Sequence, residues 1–163
     1  PSLRARLAKV PDVARAAAAA EMEICAQEIV DTMKAAVPVK SGALRASIGW
    51  TWGDVPAGTF VIADIRSGKN KGDQYATLRI KIYAGSREAF YARFVEFGTA
   101  PHSLARGADR DRGKLQDAGH GHPGGTAQPF FFAAYKQFGG KAEFRKRIRN
   151  AVKARIKQEF GNG

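Results

Sequence analysis

The feature that most constrains this chain is the changing period of its apolar residues. From 11 to 37 they recur at spacings of three and four, as on one face of a helix. Residues 43–85 then hold two runs in which apolar and polar side chains alternate, with a short β-branched run between them, and residues 128–160 return to helical spacing. Because successive strands without helices between them favour an antiparallel sheet with one face covered, the sequence predicts an α+β fold. We expect three or four antiparallel strands packed against a long N-terminal helix and a basic, amphipathic C-terminal helix.

The first helix, over 11–37, is predicted from its boundaries and its apolar stripe. Asp12, which follows Pro11, is suited to cap the start, and Pro38 cannot continue the helix. The alanines at 16–20 give it a thin face, which either admits another element or subunit closely or reflects helix propensity alone. The stripe consists of Met22, Cys25, Ile29, Met33 and Val37.

Two alternating runs and the β-branched run between them predict the strands. They cover residues 44–52, 59–65 and 76–84. The polar residues 67–73 between the last two runs suit the tip of a hairpin.

The second half of the chain reads as helices on either side of a long polar segment. Ser86 is suited to cap a short helix over 86–98, which ends at Gly98. Residues 100–126 are rich in Gly, Arg, Asp and His, and we expect an extended assembly loop there, because long irregular stretches in compact domains usually carry function. Residues 128–160 then hold two helices. A chain of 163 residues suits one hydrophobic core, so we expect a single domain over 1–163.

The charge is the unusual part of the composition. Twenty-seven Lys and Arg against fifteen Asp and Glu give +12, so copies of the chain repel one another unless a polyanion or an acidic surface lies nearby. Residues 138–163 carry eight basic residues against Glu143 and Glu159, which is 8 − 2 = +6. A charge run is commonly a solvated helix face, but we interpret this one as a surface that faces DNA or a protein partner. Its residues are Lys141, Arg145, Lys146, Arg147, Arg149, Lys153, Arg155 and Lys157.

Several function classes find no support in the residues. The single cysteine, Cys25, excludes an intrachain disulfide and lies on the apolar stripe, so we expect an inert core thiol. His120 and His122 form an H-x-H pair with His102 upstream, but no cysteine pair or ordered carboxylate spacing completes a metal site. No catalytic motif and no membrane span is evident. We expect no catalytic residue, no cofactor and no metal, in a soluble protein made in the cytoplasm.

Three segments together carry a resemblance to a known family. The first motif is VPVKSGALRASI (37–48), the second is YARFVEFGT (91–99), and the third is HPGGTAQPFFFAAY (122–135). In this order they resemble the neck and tail-completion proteins of long-tailed bacteriophages and phage-derived particles, which are head–tail joining or tail-component proteins. The resemblance extends over roughly residues 20–160, and no single motif is specific by itself.

The resemblance implies an α+β subunit that assembles into a homo-oligomeric ring, expected to be hexameric, in the neck or tail of the virion. The ring surrounds the channel for double-stranded DNA, which it contacts without sequence specificity. Its neighbours are a head-completion or connector ring and a tail terminator or tail tube protein, with no membrane involved. If about six copies encircle DNA, the ring carries on the order of +70, which favours a polyanion nearby.

Other functions stay open at this point. The chain could be a tail terminator ring that caps the tail tube, or a monomeric, sequence-independent DNA-binding accessory protein. A metal-dependent nuclease built on His120 and His122 is the weakest of these hypotheses.

Within the motifs we predict structural roles for a set of residues. Gly42 supplies a turn. Glu96 lies among large apolar neighbours, so it should accept backbone hydrogen bonds or pair with Arg45, unless it is simply solvated. Of residues 130–132, all phenylalanine, at least one should meet a neighbouring subunit, unless the N-terminal helix covers all three. The full set is Gly42, Leu44, Arg45, Tyr91, Glu96, Phe97, Gly98, Thr99, Pro129 and Phe130.

Overall fold

The structure is a computed structural model, which describes residues 3–66, 78–103 and 121–161. The elements, in chain order, are α1 (Leu3–Ala36), α2 (Ala43–Ala46), β1 (Gly49–Trp52), β2 (Phe60–Arg66), β3 (Arg79–Ala84), α3 (Ala92–Phe97), β4 (His102–Ser103), β5 (Gly121–His122), α4 (Phe131–Gln137) and α5 (Gly140–Phe160). The predicted hairpin tip at 67–73 and residues 104–120 of the predicted loop lie outside the described residues.

A three-stranded antiparallel sheet forms the centre of the fold, in the order β1-β3-β2. On the central strand β3, Ile80, Ile82 and Ala84 are buried, and the residues between them are half-buried. This period of two confirms the predicted strand and directs one face of the sheet towards the helices. The α+β prediction is therefore confirmed.

Helix α1 supplies more of the buried core residues than any other element. Met22, Cys25, Ile29 and Met33 are fully buried, in one cluster with β3 and with Phe144 of α5. Two polar contacts also attach β1 to this helix: the indole N–H of Trp50 donates to Gln27 at 3.0 Å, and that of Trp52 donates to Glu23 at 2.8 Å. The amphipathic stripe of α1 is thus confirmed as the face that packs on the sheet and on α5.

The predicted start of α1 is wrong. The helix begins at Leu3 and passes through Pro11, instead of starting after it. Proline removes the N–H that would bond to the carbonyl of Leu7, but Pro11 and Leu7 are both exposed, so water can satisfy that carbonyl. The predicted end holds, because α1 stops at Ala36, two residues before Pro38.

The first predicted strand is wrong over its first half. Residues 43–46 form the short helix α2, and β1 begins only at Gly49. Leu44 and Ile48 are both buried, as alternation requires, but Ala46 between them is exposed, which distinguishes a helical turn from a strand. The Ser47 hydroxyl ends this turn, donating to Leu44 O at 2.7 Å and accepting from Gly85 N–H at 3.0 Å.

The predicted start of the short helix over 86–98 is wrong, because α3 begins only at Ala92. The Ser86 hydroxyl accepts a hydrogen bond from Ala89 N–H at 3.0 Å, in the turn that precedes the helix.

The other helix boundaries are closer to the prediction. Helix α3 ends at Gly98, and α4 and α5 lie within the predicted 128–160 region. The ends of the expected loop are more ordered than predicted, because β4 and β5 pair antiparallel and Thr99 forms a bridge to Gly125. Among the helices that the structure describes, none has the length and apolar character that crossing a membrane requires.

Candidate assembly surface

A buried carboxylate joins the second motif to the third. Glu96 of α3 is 3% exposed. Its Oε2 accepts hydrogen bonds from the N–H groups of Phe130 and Phe131 at 2.9 Å, and its Oε1 accepts from Phe132 at 3.0 Å. These donors begin α4, where backbone N–H groups have no acceptor within the helix. Glu96 is therefore a charged cap supplied from another helix, and it also complements the dipole of α4.

This arrangement confirms the prediction that Glu96 accepts backbone hydrogen bonds. The alternative partner, Arg45, is exposed and is not among its bonding partners. Glu96 is buried although it lies on a helix of only six residues, because three N–H donors replace the water that its carboxylate loses.

Backbone hydrogen bonds strengthen the same junction. Thr99 and Gly125 exchange two N–H···O bonds of 3.0 Å, and the N–H of Gln128 donates to Val95 O at 2.8 Å. Gly98, at φ +72°, permits this approach, since a Cβ there would lie 2.5 Å from Gly125 O. The end of α3 is thus fixed against residues 125–128.

The three motifs meet around one groove of about 420 Å³. The first motif provides one wall, α3 the second, and residues 125–128 the third. Five of the predicted motif residues line it, namely Gly42, Leu44, Arg45, Tyr91 and Thr99; the others that line it are Pro38, Val39, Lys40, Phe94, Val95, Gly125, Thr126 and Gln128. The lining contains two cations and no carboxylate.

The sequence analysis missed Phe94 and Val39, the large apolar side chains that the groove exposes most. Phe94 is 51% exposed and Val39 is 60% exposed. A signal for the first was available: Phe94 and Phe97 are three residues apart, which places them on one face of α3. That face points outwards, because the opposite face carries Glu96 into the core.

A second concavity of about 660 Å³ adjoins the groove and shares Phe94 and Thr99 with it. It also contains His102 and His122, whose rings stack with centroids 5.0 Å apart on the paired strands β4 and β5. His122 Nδ1 accepts from Gly124 N–H at 3.0 Å, and His102 Nδ1 lies 3.1 Å from Ala100 O. The described residues contain no cluster suited to a metal ion, and His120 lies outside them.

Aromatic side chains extend the exposed apolar area beyond the groove. Phe97 packs edge-on against Phe60 at 6.0 Å and tilted against Phe132 at 5.9 Å. Phe130 and Phe131 are buried, whereas Phe132 is 45% exposed. This confirms that residues 130–132 do not all share one core. The contact of Phe132 with a neighbouring subunit stays a prediction.

Helix α5 separates its charges into rows, since residues four apart lie next to each other on a helix. The row at 144, 148, 152, 156 and 160 is apolar, and its first three residues pack on the core. The row beside it is entirely cationic and exposed. We call this row the cationic ridge; it consists of Lys141, Arg145, Arg149, Lys153 and Lys157.

The cationic ridge lacks carboxylate partners within the described part of the chain. It extends along about 24 Å of helix, at 1.5 Å per residue. Like charges at this spacing destabilise a helix by a few tenths of a kcal/mol per pair at low salt. The row is therefore unfavourable for the isolated helix and favourable for binding a polyanion.

Arg147 must be removed from the predicted DNA- or partner-facing surface. Its guanidinium bonds to Glu21 at 2.8 Å and to Glu28 at 2.5 Å, so it holds α5 to α1. The hydrogen bond that Arg147 donates to the carboxylate of Glu28 raises the pKa of Arg147 above its ordinary value. The row of residue 147 also contains Glu143 and Glu159, which pair with Lys146 and Arg155. Those two predicted residues are exposed, but their charges are partly balanced.

The thiol of Cys25 lies in the core, as predicted. Burial raises its pKa to about 12, which keeps the thiol protonated near neutral pH. Cys25 is thus a small apolar residue of α1 rather than a nucleophile.

Comparison with known proteins gives one family match. The model of the HK97-gp10-like family, described as "Bacteriophage HK97-gp10, putative tail-component", matches residues 2–98. The match includes the first motif and all but the last residue of the second, whereas the third lies beyond it. No curated protein and no solved structure matches the chain.

Proposed function

Because this chain belongs to the HK97-gp10-like family of bacteriophage tail components, we propose that it is a structural subunit of the head–tail connector region. In this proposal it forms a neck or tail-completion ring, expected to be hexameric, around the channel for double-stranded DNA. The cationic ridge contacts DNA phosphates, and the exposed aromatic residues contact neighbouring subunits or rings.

The observation that carries the proposal is the cationic ridge. Five exposed cations in one row attract phosphate groups without reading bases. Such contacts suit DNA that must slide through a channel. The separation from Arg147, whose charge is balanced by α1, supports a binding role for the ridge rather than a role in the fold.

The exposed aromatics support a protein that is covered on assembly. Four large apolar side chains are each at least 45% exposed, namely Phe90, Phe94, Phe97 and Phe132. The first three lie within eight residues of the chain, and Phe132 packs against Phe97. Clusters of this kind usually mark protein interfaces. We propose no catalytic role, and the buried carboxylate of Glu96 is engaged by three backbone N–H groups. Residues 100–126, whose ends pair as β4 and β5, are expected to contact an adjoining ring.

Charge reversal of the ridge tests this proposal in particles. Arg145→Glu, Arg149→Glu and Lys153→Glu are introduced together, and electron microscopy counts joined particles against free heads and tails. We expect a folded protein and few joined or infectious particles. The matched control carries the same change of charge at exposed positions elsewhere, as Lys9→Glu, Arg87→Glu and Lys136→Glu. Normal particles from the ridge variant would refute the role of the ridge.

Native mass spectrometry and light scattering test the oligomeric part of the proposal. We expect a defined ring, alone or after mixing with the adjoining particle components. A chain that stays monomeric in every mixture yet binds DNA with strong salt dependence would instead favour the DNA-binding accessory protein.

A further inference from the structure

We propose that the groove between the three motifs is a docking site for an acidic segment of a different particle protein. That segment inserts an apolar anchor side chain beside Phe94 and places carboxylates against Lys40 and Arg45. The inference rests on the proposed structural role and names the chemistry of one partner that this role requires.

The groove is built before any partner arrives. Glu96 fixes α3 against the start of α4, and the Thr99–Gly125 bonds fix the wall formed by residues 125–128. Gly98 has no side chain that would separate these walls. Because the site is preorganised, a partner loses little free energy in ordering it.

The size and apolar lining suit a side-chain anchor. A volume of about 420 Å³ lies at the small end of the usual range for ligand sites. Phe94 and Val39, both more than half exposed, line the groove together with Leu44, which is buried, and Val95, which is half-buried. An apolar side chain that entered here would remove the exposed surface of Phe94, Val39 and Val95 from water, and removing apolar surface from water is the main source of affinity in such sites.

The charge of the groove specifies an acidic partner. Lys40 and Arg45 are exposed, and neither has an ion-pair partner in the described part of the chain. The lining supplies no carboxylate to balance them. Carboxylates on an incoming segment would therefore meet two unpaired cations, which increases both the association rate and the specificity.

The groove also offers hydrogen bonds to an extended segment. Thr126 and Gln128 line it, and the side chain of neither residue has a hydrogen-bond partner within the described part of the chain. A hydroxyl and an amide can each donate to, or accept from, the backbone of a bound segment. An anchored peptide would thus be oriented as well as held.

Two other occupants fit less well. A second copy of this chain would bring a net charge of +12 to a groove that already carries two cations. A DNA duplex, with a phosphate backbone on its outside, cannot place a base in a groove of this volume. A single strand could stack a base on Phe94, and the experiment treats that as a contrary outcome.

Peptide binding to the purified chain tests the chemistry. The probe is a fluorescein-labelled decapeptide in which phenylalanine and leucine alternate with glutamate. Fluorescence anisotropy measures its binding. We expect saturable binding, lost when lysine replaces glutamate or when serine replaces the apolar residues. Phe94→Ser and the pair Lys40→Glu with Arg45→Glu should each weaken binding about tenfold or more.

Matched controls change the same chemistry outside the groove. Leu7→Ser removes an exposed apolar side chain from α1, and Lys9→Glu with Lys136→Glu reverses two exposed cations. Neither control should alter the affinity, and circular dichroism should show all variants folded. Absence of saturable binding, equal binding of the lysine peptide, or displacement by a single-stranded oligothymidine would each overturn the proposal.

Photo-crosslinking separates this inference from the proposed function. p-Benzoylphenylalanine replaces Phe94 in chain supplied to assembling particles, and mass spectrometry identifies the crosslinked segment. A net-acidic segment of another particle protein supports the inference. A crosslink to DNA or to a second copy overturns it while leaving the structural role intact. If the chain never enters particles, the proposed function fails. The peptide experiment still tests whether the groove binds an acidic segment.

Discussion

The junction at Glu96 and the cationic ridge of α5 differ in the burial and the pairing of their charges. Glu96 is almost fully buried, and three N–H groups bond to it, all from the start of α4. The five ridge residues are exposed and have no carboxylate partner in the described part of the chain. A buried, satisfied charge belongs to the fold, because losing its partners would be costly. An exposed row of unpaired like charge slightly destabilises the helix that carries it, which is why we propose that it faces a partner.

Arg147 lies between these two extremes. It belongs to the same helix as the ridge, but it is half-buried and pairs with two carboxylates of α1. Its ion pairs show that part of this basic helix contributes to folding, whereas binding is the role that we propose for the ridge. The following substitutions should separate these contributions.

Removing the carboxylate at position 96 should have the largest effect on stability. Glu96→Ala leaves three N–H groups without an acceptor in a buried place, so we expect a loss of about 2–4 kcal/mol in the free energy of unfolding. Urea denaturation measures the change, with Glu88→Gln at an exposed position as the control, expected within about 0.5 kcal/mol of the wild type. A loss of under about 1 kcal/mol from Glu96→Ala would mean that the cap is not essential.

Side chains at two glycines should separate backbone strain from steric conflict. Gly98 and Gly42 both have positive φ, but only at Gly98 would a Cβ collide with another segment, at Gly125 O. We expect Gly98→Ala to cost about 2–3 kcal/mol and Gly42→Ala about 1 kcal/mol. Thermal unfolding compares the two variants. Equal losses would show that residues 125–128 do not depend on close approach to α3.

Loss of the guanidinium at position 147 should have a smaller effect. Arg147→Met retains apolar length but leaves Glu21 and Glu28 without their partner, and partial exposure limits the loss to about 1 kcal/mol. Arg149→Met, on the ridge, is the control and should change the free energy of unfolding by less than about 0.5 kcal/mol. If the two variants unfold alike, the distinction between paired and unpaired rows on α5 is wrong.

The ridge reversal should affect folding least of all. Arg145→Glu, Arg149→Glu and Lys153→Glu together place opposite charges beside Lys141 and Lys157, so we expect unchanged or slightly higher helix stability at low salt. Circular dichroism during thermal unfolding measures this. DNA affinity should fall instead, and its dependence on salt concentration should become shallower. A clear drop in melting temperature would mean that the ridge residues stabilise the fold.

Part of this fold could be predicted from local pattern. The period of two on β3 and the stripe on α1 were sufficient, because burial of one face is recorded in neighbouring residues. The same reasoning failed at Pro11, where exposure allows a proline inside a helix, and at Leu44–Ile48, where a helical turn buries the same two ends as a strand. Spacing alone cannot separate such cases over a few residues.

The site was less accessible to sequence reasoning than the fold. The apolar neighbours of Glu96 predicted hydrogen bonds, but its donors lie 34 to 36 residues away and only the folded chain identifies them. The groove joins segments near residues 40, 94 and 126, so its shape depends on tertiary packing. Arg147 resembles its basic neighbours in sequence, and only the position of α1 distinguishes it.

A cryo-electron microscopy map of the head–tail junction of the assembled particle would test the central claim most directly. The claim predicts that this chain forms a closed ring there, with the cationic ridge towards the DNA channel and Phe94 covered by a neighbouring protein. A junction without this chain, or a ring whose ridge faces outwards to solvent, would contradict it.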